Sequence, residues 1–317
     1  DYNQIISGGN LLVDLTFDSN FEKNNNNKWF SDASLVTNYS KNINTKFKIN
    51  IKSALQTSQN YIQITNPDSE LSYKNSLKTE LNLQGYNLNR IDDYFNLKLN
   101  NYQTNQKNED NKTVPTVFPN IRYYSGNNII YGNNTNSTYD FYNIFRDKHT
   151  DIHSQNQQKI SHKFVTSKNV INYNSKIFLN SEIYNQVFQT ENKKIQDNEF
   201  HSGTYYRLFP ILGIGSETPF KFKKNKYNFT YKPHTQLVIS PGNSNTNKIS
   251  NEDSSNNDFT IQNASSLNRF SGSDKMDNSK RINYGIDIYN EKIKLNLFQS
   301  YEFTENSNFD TGSSNLS

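Results

Sequence analysis

Apolar and polar residues alternate at every second position over much of this chain, and apolar residues almost nowhere recur at every third or fourth. A period of two places one chemical character on each face of a β-strand, so the chain reads as strands rather than helices. In Lys46 to Lys52, Phe47, Ile49 and Ile51 oppose Lys46, Lys48, Asn50 and Lys52. From Leu71 to Leu83, Leu71, Tyr73, Leu77, Leu81 and Leu83 oppose Ser72, Lys74, Ser76, Lys78, Glu80 and Asn82. Phe95, Leu97 and Leu99 form a further face, as do Ile177, Leu179, Ile183 and Val187. Tyr227, Phe229, Tyr231, Leu237 and Ile239 form another, with Pro233 and Thr235 between them. The pattern returns in Ile282, Tyr284, Ile286 and Ile288, and again in Ile293, Leu295, Leu297, Tyr301 and Phe303. Several runs reach 10 to 13 residues. That is about twice the usual strand, and long enough to cross a bilayer at a tilt.

Composition narrows the choice. Only 32% of the 317 residues are hydrophobic, whereas a soluble domain has about 45–50%. Yet there are 21 Tyr and 21 Phe, too many aromatics for a disordered chain. Asn fills the gap at roughly one residue in six. Asn, Lys, Ile, Tyr and Phe share A/T-rich codons, so genome base composition accounts for much of that excess. Tyr61, Tyr94, Tyr102, Tyr123, Tyr124, Tyr205, Tyr206 and Tyr301 sit at expected strand ends, as aromatic girdles do.

Connections are expected in two kinds. Lys41 to Asn44, Lys223 to Lys226 and Tyr289 to Lys292 read as tight hairpins. Gln103 to Thr113, Gly132 to Thr138, Asp147 to Gln158, Thr190 to Glu199 and Pro241 to Asp258 read as long polar loops. The Asn tract at Asn24 to Asn27 also reads as loop. Short turns with long loops are the pattern of an outer-membrane barrel. Roughly 14 strands fit this length. The expectation is an all-β transmembrane antiparallel barrel, incomplete and open at its edges, formed by residues 1–317 as a single partial domain. The start at Asp1, without a signal sequence, and the polar end from Gly312 to Ser317 read as a portion of something longer.

Other function classes find little support. A net charge of +4 without a dense basic run does not point to nucleic acid. There is no cysteine, which excludes disulfides and thiolate metal sites within these residues. His149 and His153 stand four apart in a polar, non-helical stretch, and Glu252, Asp253 and Asp258 lack the spacing of a calcium loop. Gly213-Ile214-Gly215 lacks the third glycine and following helix of a dinucleotide site. No nucleophile elbow is present. Neither enzyme activity nor a cofactor is expected.

Three segments carry a family resemblance. The first is Tyr206-Arg207-Leu208-Phe209-Pro210, then Ile211 to Gly215 and Pro219-Phe220. The second runs from Pro233 through Gln236-Leu237-Val238 to Pro241, into the polar loop Asn251-Glu252-Asp253-Ser254. The third is Leu267, Arg269, Phe270, Gly272 and Asp274, then Arg281, Tyr284 and Gly285, and finally Phe298 to Tyr301. Together they cover about the last 100 residues. In these segments the chain resembles the C-terminal barrel region of the LptD family, the LPS-assembly or organic solvent tolerance proteins, and alphaproteobacterial forms above all. The first 200 residues resemble it in style, with Val114-Pro115 and Pro119 matching a proline-bearing strand. Lys275 stands where the family has Arg, and Ser266-Leu267 where it has Leu-Phe.

The resemblance implies a conduit for lipopolysaccharide in the outer membrane of a Gram-negative bacterium. It implies a plug lipoprotein, LptE, in the lumen, contact with outer-membrane lipid, and a periplasmic bridge protein reached through an N-terminal jelly-roll. That domain and the final barrel strands are not visible in these residues. The motif residues then read as structural, in loop and lumen. Arg269, Asp274 and Arg281 are expected to form a charged network fixing the loop, with Gly272 and Gly285 permitting tight backbone geometry. Two alternatives remain at this point: another outer-membrane barrel, such as a porin or nutrient transporter, and a soluble Asn/Tyr-rich β adhesin. Alternation alone does not separate a lipid-facing surface from a core-facing one.

Overall fold

The computed structural model describes residues 2–6, 9–18, 32–224, 227–240, 245–254 and 260–304. The described residues form sixteen strands: β1 (Tyr2–Ile6), β2 (Gly9–Asp18), β3 (Asp32–Asn42), β4 (Phe47–Gln56), β5 (Ser76–Tyr86), β6 (Tyr94–Thr104), β7 (Thr116–Tyr124), β8 (Asn128–Ile130), β9 (Asn133–Phe145), β10 (Asn156–Asn172), β11 (Ser175–Gln196), β12 (Glu199–Glu217), β13 (Phe220–Lys224), β14 (Tyr227–Ile239), β15 (Lys280–Tyr289) and β16 (Lys294–Glu302). Strand neighbours follow chain order, with β8 and β13 as side branches on β9 and β14. Among the described residues the path begins at β1 and ends at β16, and no pairing joins those two strands. Every register described is antiparallel. Two short helices, α1 (Tyr61–Thr65) and α2 (Ile261–Ala264), lie in connections. No described helix is long and apolar enough to cross a membrane.

The chain divides into two compact units. One comprises residues 1–126, 139–160 and 188–203, the other 127–138, 161–187 and 204–317.

In the first unit the registers convert alternation into continuous rows. Ile49, Leu83, Leu97 and Ile121 line up across β4 to β7. One residue along, Ser40, Asn50, Asn82, Lys98 and Asn120 line up across β3 to β7. At several positions burial runs opposite to that of a soluble sheet. Asn82, Asn96 and Asn100 are buried, whereas Leu81 is exposed. A bulge opposes Leu99 with Phe118 and Pro119, a position where a proline's missing N–H is tolerated. At one strand edge Tyr94 pairs with both Tyr86 and Tyr124, and the Tyr86 and Tyr94 rings lie 5.2 Å apart.

The second unit repeats the inversion. Ile214, Leu237, Ile282 and Tyr301 form one row, next to the pair Leu212 and Ile239. Leu208, Leu212, Ile214, Leu295 and Leu297 are exposed. On the opposite face Gln236, Asn283 and Ser300 form a buried row bonded by side chains, Asn283 Nδ2 donating to Gln236 (3.1 Å) and Ser300 Oγ to Asn283 (2.7 Å).

Two hairpins close with the same device. Asn44 Oδ1 accepts from the Lys46 and Phe47 amides, and Asn290 Oδ1 accepts from the Lys292 and Ile293 amides. An Asn side chain mimics a backbone turn in this way. The Lys224–Tyr227 pair closes β13 on β14, while the turn tip at 225–226 lies outside the described residues. So do Asn24 to Asn27 and Gly312 to Ser317.

Four expectations are corrected. Gly132 to Thr138 is not a loop: β9 starts at Asn133, because β8 supplies a partner through Asn128↔Thr135. Thr190 to Glu199 is not a loop either. β11 runs to Gln196 and β12 starts at Glu199, with Asn198 turning at φ 63°. Its inward residues Thr190 and Lys193 are polar, which hid the strand from a hydrophobicity reading. Leu71 and Tyr73 precede β5 in a turn. Tyr61 opens α1 and is buried rather than lying in a girdle.

Candidate functional site: a loop locked onto the strand wall

The segment joining β14 to β15 holds most of the motif residues, and its geometry follows from short polar side chains. Ser240 and Ser279 close its neck. The Ser240 amide donates to the Ser279 carbonyl (2.9 Å), and the Ser279 amide donates to Ser240 Oγ (2.7 Å). Beyond the neck, two stretches fold onto each other through reciprocal carboxylates. Asp253 Oδ1 accepts from the amides of Ser273 (2.9 Å) and Asp274 (2.7 Å). Asp274 Oδ2 accepts from the amides of Glu252 (2.7 Å) and Asp253 (3.0 Å). Ser254 Oγ accepts from Asp274 and Lys275. Asn251 and Ser254 close their own small turn. The Asp274 amide would otherwise be a buried donor without a partner.

Gly272 is required by this contact. A Cβ there would stand 2.3 Å from both the Asp253 carbonyl oxygen and its Oδ1. Asn245 completes the fold-back, accepting from the Met276 amide and donating to its carbonyl.

Three arginines bind the loop to strands. Arg207 on β12 donates through Nε and Nη2 to Gln186 of β11, through Nη1 to the Asp274 carbonyl (2.7 Å) and through Nη2 to the Ser273 carbonyl (2.6 Å). Arg269 forks onto Asp277, with Nε 2.6 Å from Oδ2 and Nη2 3.2 Å from Oδ1, and also reaches Glu302 of β16. Arg281 on β15 meets the same Asp277 carboxylate at 2.9 Å and donates to the Ser266 carbonyl. Ser279 Oγ donates to Glu302. Asp277 and Arg281 are fully enclosed. Burial opposes the Arg269 charge, but Asp277 and Glu302 outweigh it and hold its proton more firmly than usual. Apolar contact completes the seat: Leu267 and Met276 of the loop pack with Tyr184, Phe209, Ile211 and Val238 of the wall.

Of the motif residues, Arg207, Asn251, Glu252, Asp253, Ser254, Arg269, Phe270, Gly272, Asp274 and Arg281 belong to this assembly. Phe270 is buried, with Lys275 Nζ 6.0 Å from its ring centroid. Pro210, Tyr284 and Gly285 do not belong to it. Pro210 lies on β12 just beyond Leu212, where the register with β14 stops. Tyr284 reaches Gln299 on the adjacent strand, and Gly285 lies between His234 and Phe298.

The expected triad of Arg269, Asp274 and Arg281 is corrected. Asp277, not Asp274, is the carboxylate between the arginines, while Asp274 caps backbone amides. Asp277 could have been found four residues before Arg281, but Gln186, Ser240 and Glu302 carry no local signal. Of the candidate calcium loop, Asp258 lies outside the described residues. Among the described residues no group of three or more His, Cys, Asp or Glu could hold a metal ion. Chemically the assembly is a lock, in which each charge is matched by another or by backbone.

The profile of a family described as LptD, LPS transport system D, matches residues 15–317. No curated protein matches the chain.

Proposed function

The chain belongs to the LptD family, which serves lipopolysaccharide transport and outer-membrane biogenesis, and on that premise we propose that it is the barrel component of the translocon that places lipopolysaccharide in the outer leaflet. In this reading residues 1–317 are one partial barrel domain in the outer membrane of a Gram-negative bacterium. It receives its cargo from a periplasmic bridge protein and works with an LptE-type plug lipoprotein. It is a conduit, with no catalytic residues.

The observation that carries the reading is the family match over residues 15–317, well beyond the last third where motifs are plain. The inverted burial supports it. A soluble adhesin would enclose Leu208, Leu212 and Ile214 and expose Gln236 and Asn283, whereas this chain does the reverse. An apolar outer band and a polar interior are what a membrane barrel needs. The motif residues serve, on this proposal, to hold the β14–β15 loop against the wall.

Depletion in the native cell tests the role. Surface lipopolysaccharide should fall as the protein is depleted and return when it is re-expressed. Unchanged surface lipopolysaccharide at full depletion would overturn the assignment.

A further inference from the structure

The second unit contains a cavity of about 500 Å³ that the loop lock does not use. That size suits a small ligand. Its lining comes from β10, β11, β12, β14, β15 and β16, with Ser265 from the β14–β15 connection. Three features define what it can hold.

Its charges are already matched. Lys176 Nζ lies 3.2 Å from Glu217, Lys232 Nζ lies 3.3 Å from Glu217, and Lys232 lies 3.2 Å from Asp287. Two cations and two carboxylates form a linear chain of ion pairs, so a phosphate entering here would meet as much lysine as carboxylate charge. It would also have to break an ion pair to gain a lysine.

Its aromatic walls are placed by glycines. A Cβ on Gly215 would stand 2.4 Å from the Phe178 ring, so the missing side chain lets that ring lie against β12. Gly285 does the same for His234, whose ring stacks on Phe298 at 5.8 Å. The negative face of an aromatic ring attracts the C–H groups of a sugar, and at Phe178 a sugar would share the ring with Lys176 Nζ, 5.8 Å from its centroid.

Apart from His234, its remaining polar groups are uncharged. The side chains of Ser167, Asn169 and Asn180 line the cavity and make no hydrogen bond with other described residues. Each amide offers donors and an acceptor, the pairing that sugar hydroxyls need.

We infer that this cavity is a glycan subsite that takes an uncharged, hydroxyl-rich sugar and discriminates against phosphate. The inference rests on the translocon reading for the source of the glycan. It narrows that reading, because at this point on the path the wall grips the neutral part of the cargo rather than its phosphates.

The test uses the full chain purified in detergent and saturation-transfer NMR. The probes are the dephosphorylated core oligosaccharide of the cell's own lipopolysaccharide, its phosphorylated form and inorganic phosphate. The dephosphorylated oligosaccharide should bind without competition from inorganic phosphate. Phe178→Ala should weaken binding about tenfold, and Phe178→Tyr, which keeps the ring, should retain it. Asp287→Asn leaves Lys232 with one carboxylate partner and should shift preference toward the phosphorylated form. Competition by phosphate in the unaltered protein, or equal binding by Phe178→Ala, would overturn the subsite. Absent binding alongside a normal depletion phenotype sinks this inference alone. Intact binding with unchanged surface lipopolysaccharide sinks the translocon role and leaves the subsite standing.

Discussion

Arg269, Asp277 and Arg281 show why polar side chains at buried positions can hold a structure together more specifically than apolar ones. Two guanidinium groups face two enclosed carboxylates, Asp277 and Glu302, so removing any member leaves an uncompensated buried charge. Arg269→Ala should therefore destabilise the folded protein by about 3–5 kcal/mol, read as a lower urea midpoint in detergent. Arg269→Lys keeps the charge but loses the fork and should fall between. The double variant with Asp277→Ala should lose less than the sum of the two singles, because both act on one contact. A second carboxylate gives a pH-dependent prediction. In the turn before β6, burial of Asp93 works against its ionisation. Its bonds from the Asn89, Leu88 and Arg90 amides outweigh that and hold its carboxyl below the usual carboxylate range. A folded pKa below the unfolded one means the stabilisation is full above the unfolded value and is lost as pH falls through the folded one. Amide protection at Leu88 to Arg90 should exceed that of Asp93→Asn at neutral pH, and the difference should vanish in acid. Equal protection at neutral pH would rule the cap out. At this scale the sequence showed the residue types but not their partners. Asp274 sits in the G-x-D motif and looked like the natural mate for Arg269, yet which way a carboxylate points depends on a fold-back that adjacency does not encode.

Strands and hairpins were more legible than loops. The runs at Lys46 to Lys52 (from Phe47 onward), Phe95 to Asn100 and Ile282 to Ile288 lie in β4, β6 and β15 because apolar and polar positions alternate cleanly there. The end of β11 was not legible, since Thr190 and Lys193 point inward and leave no apolar stripe. An inward-facing polar side chain is invisible to a hydrophobic pattern even when the strand is regular. The β14–β15 loop was legible only as a cluster of Asn, Asp and Ser. Its order comes from pairs about twenty residues apart, such as Asp253 with Asp274. Gly272 is where that pairing is most exposed to a single change. Gly272→Val puts carbon where the Asp253 backbone lies, so the two stretches must part. The variant should fold its strands but become open to protease cleavage between residues 245 and 279. A cleavage pattern like that of the unaltered protein would mean that the loop does not depend on this contact.

At the scale of the whole chain, the distribution of faces matters more than any single contact. In both units Asn side chains are enclosed while Leu side chains are exposed, beside enclosed apolar clusters such as Phe209, Ile211 and Val238, and enclosed polar positions with exposed leucines suit a membrane barrel better than a soluble sheet. Solvent is what differs. A leucine row turned toward water would lose the stabilisation of burial, at about 25 cal/mol per Å², whereas turned toward acyl chains it loses nothing. Strand backbone in lipid must in turn be paired, which favours long strands in chain order with short turns between them. The apolar row therefore predicts the response to charge. Leu212→Lys places an ammonium on the outward face of β12 and should destabilise the protein by about 2–4 kcal/mol if the site lies near the bilayer midplane. Leu212→Phe should be close to neutral. In soluble denaturation without a bilayer or detergent the lysine would be harmless at an exposed position, so the penalty itself reports lipid contact. Folding each variant into vesicles and following the urea midpoint decides the matter. A Leu212→Lys protein as stable as Leu212→Phe in vesicles would show that this face does not meet lipid.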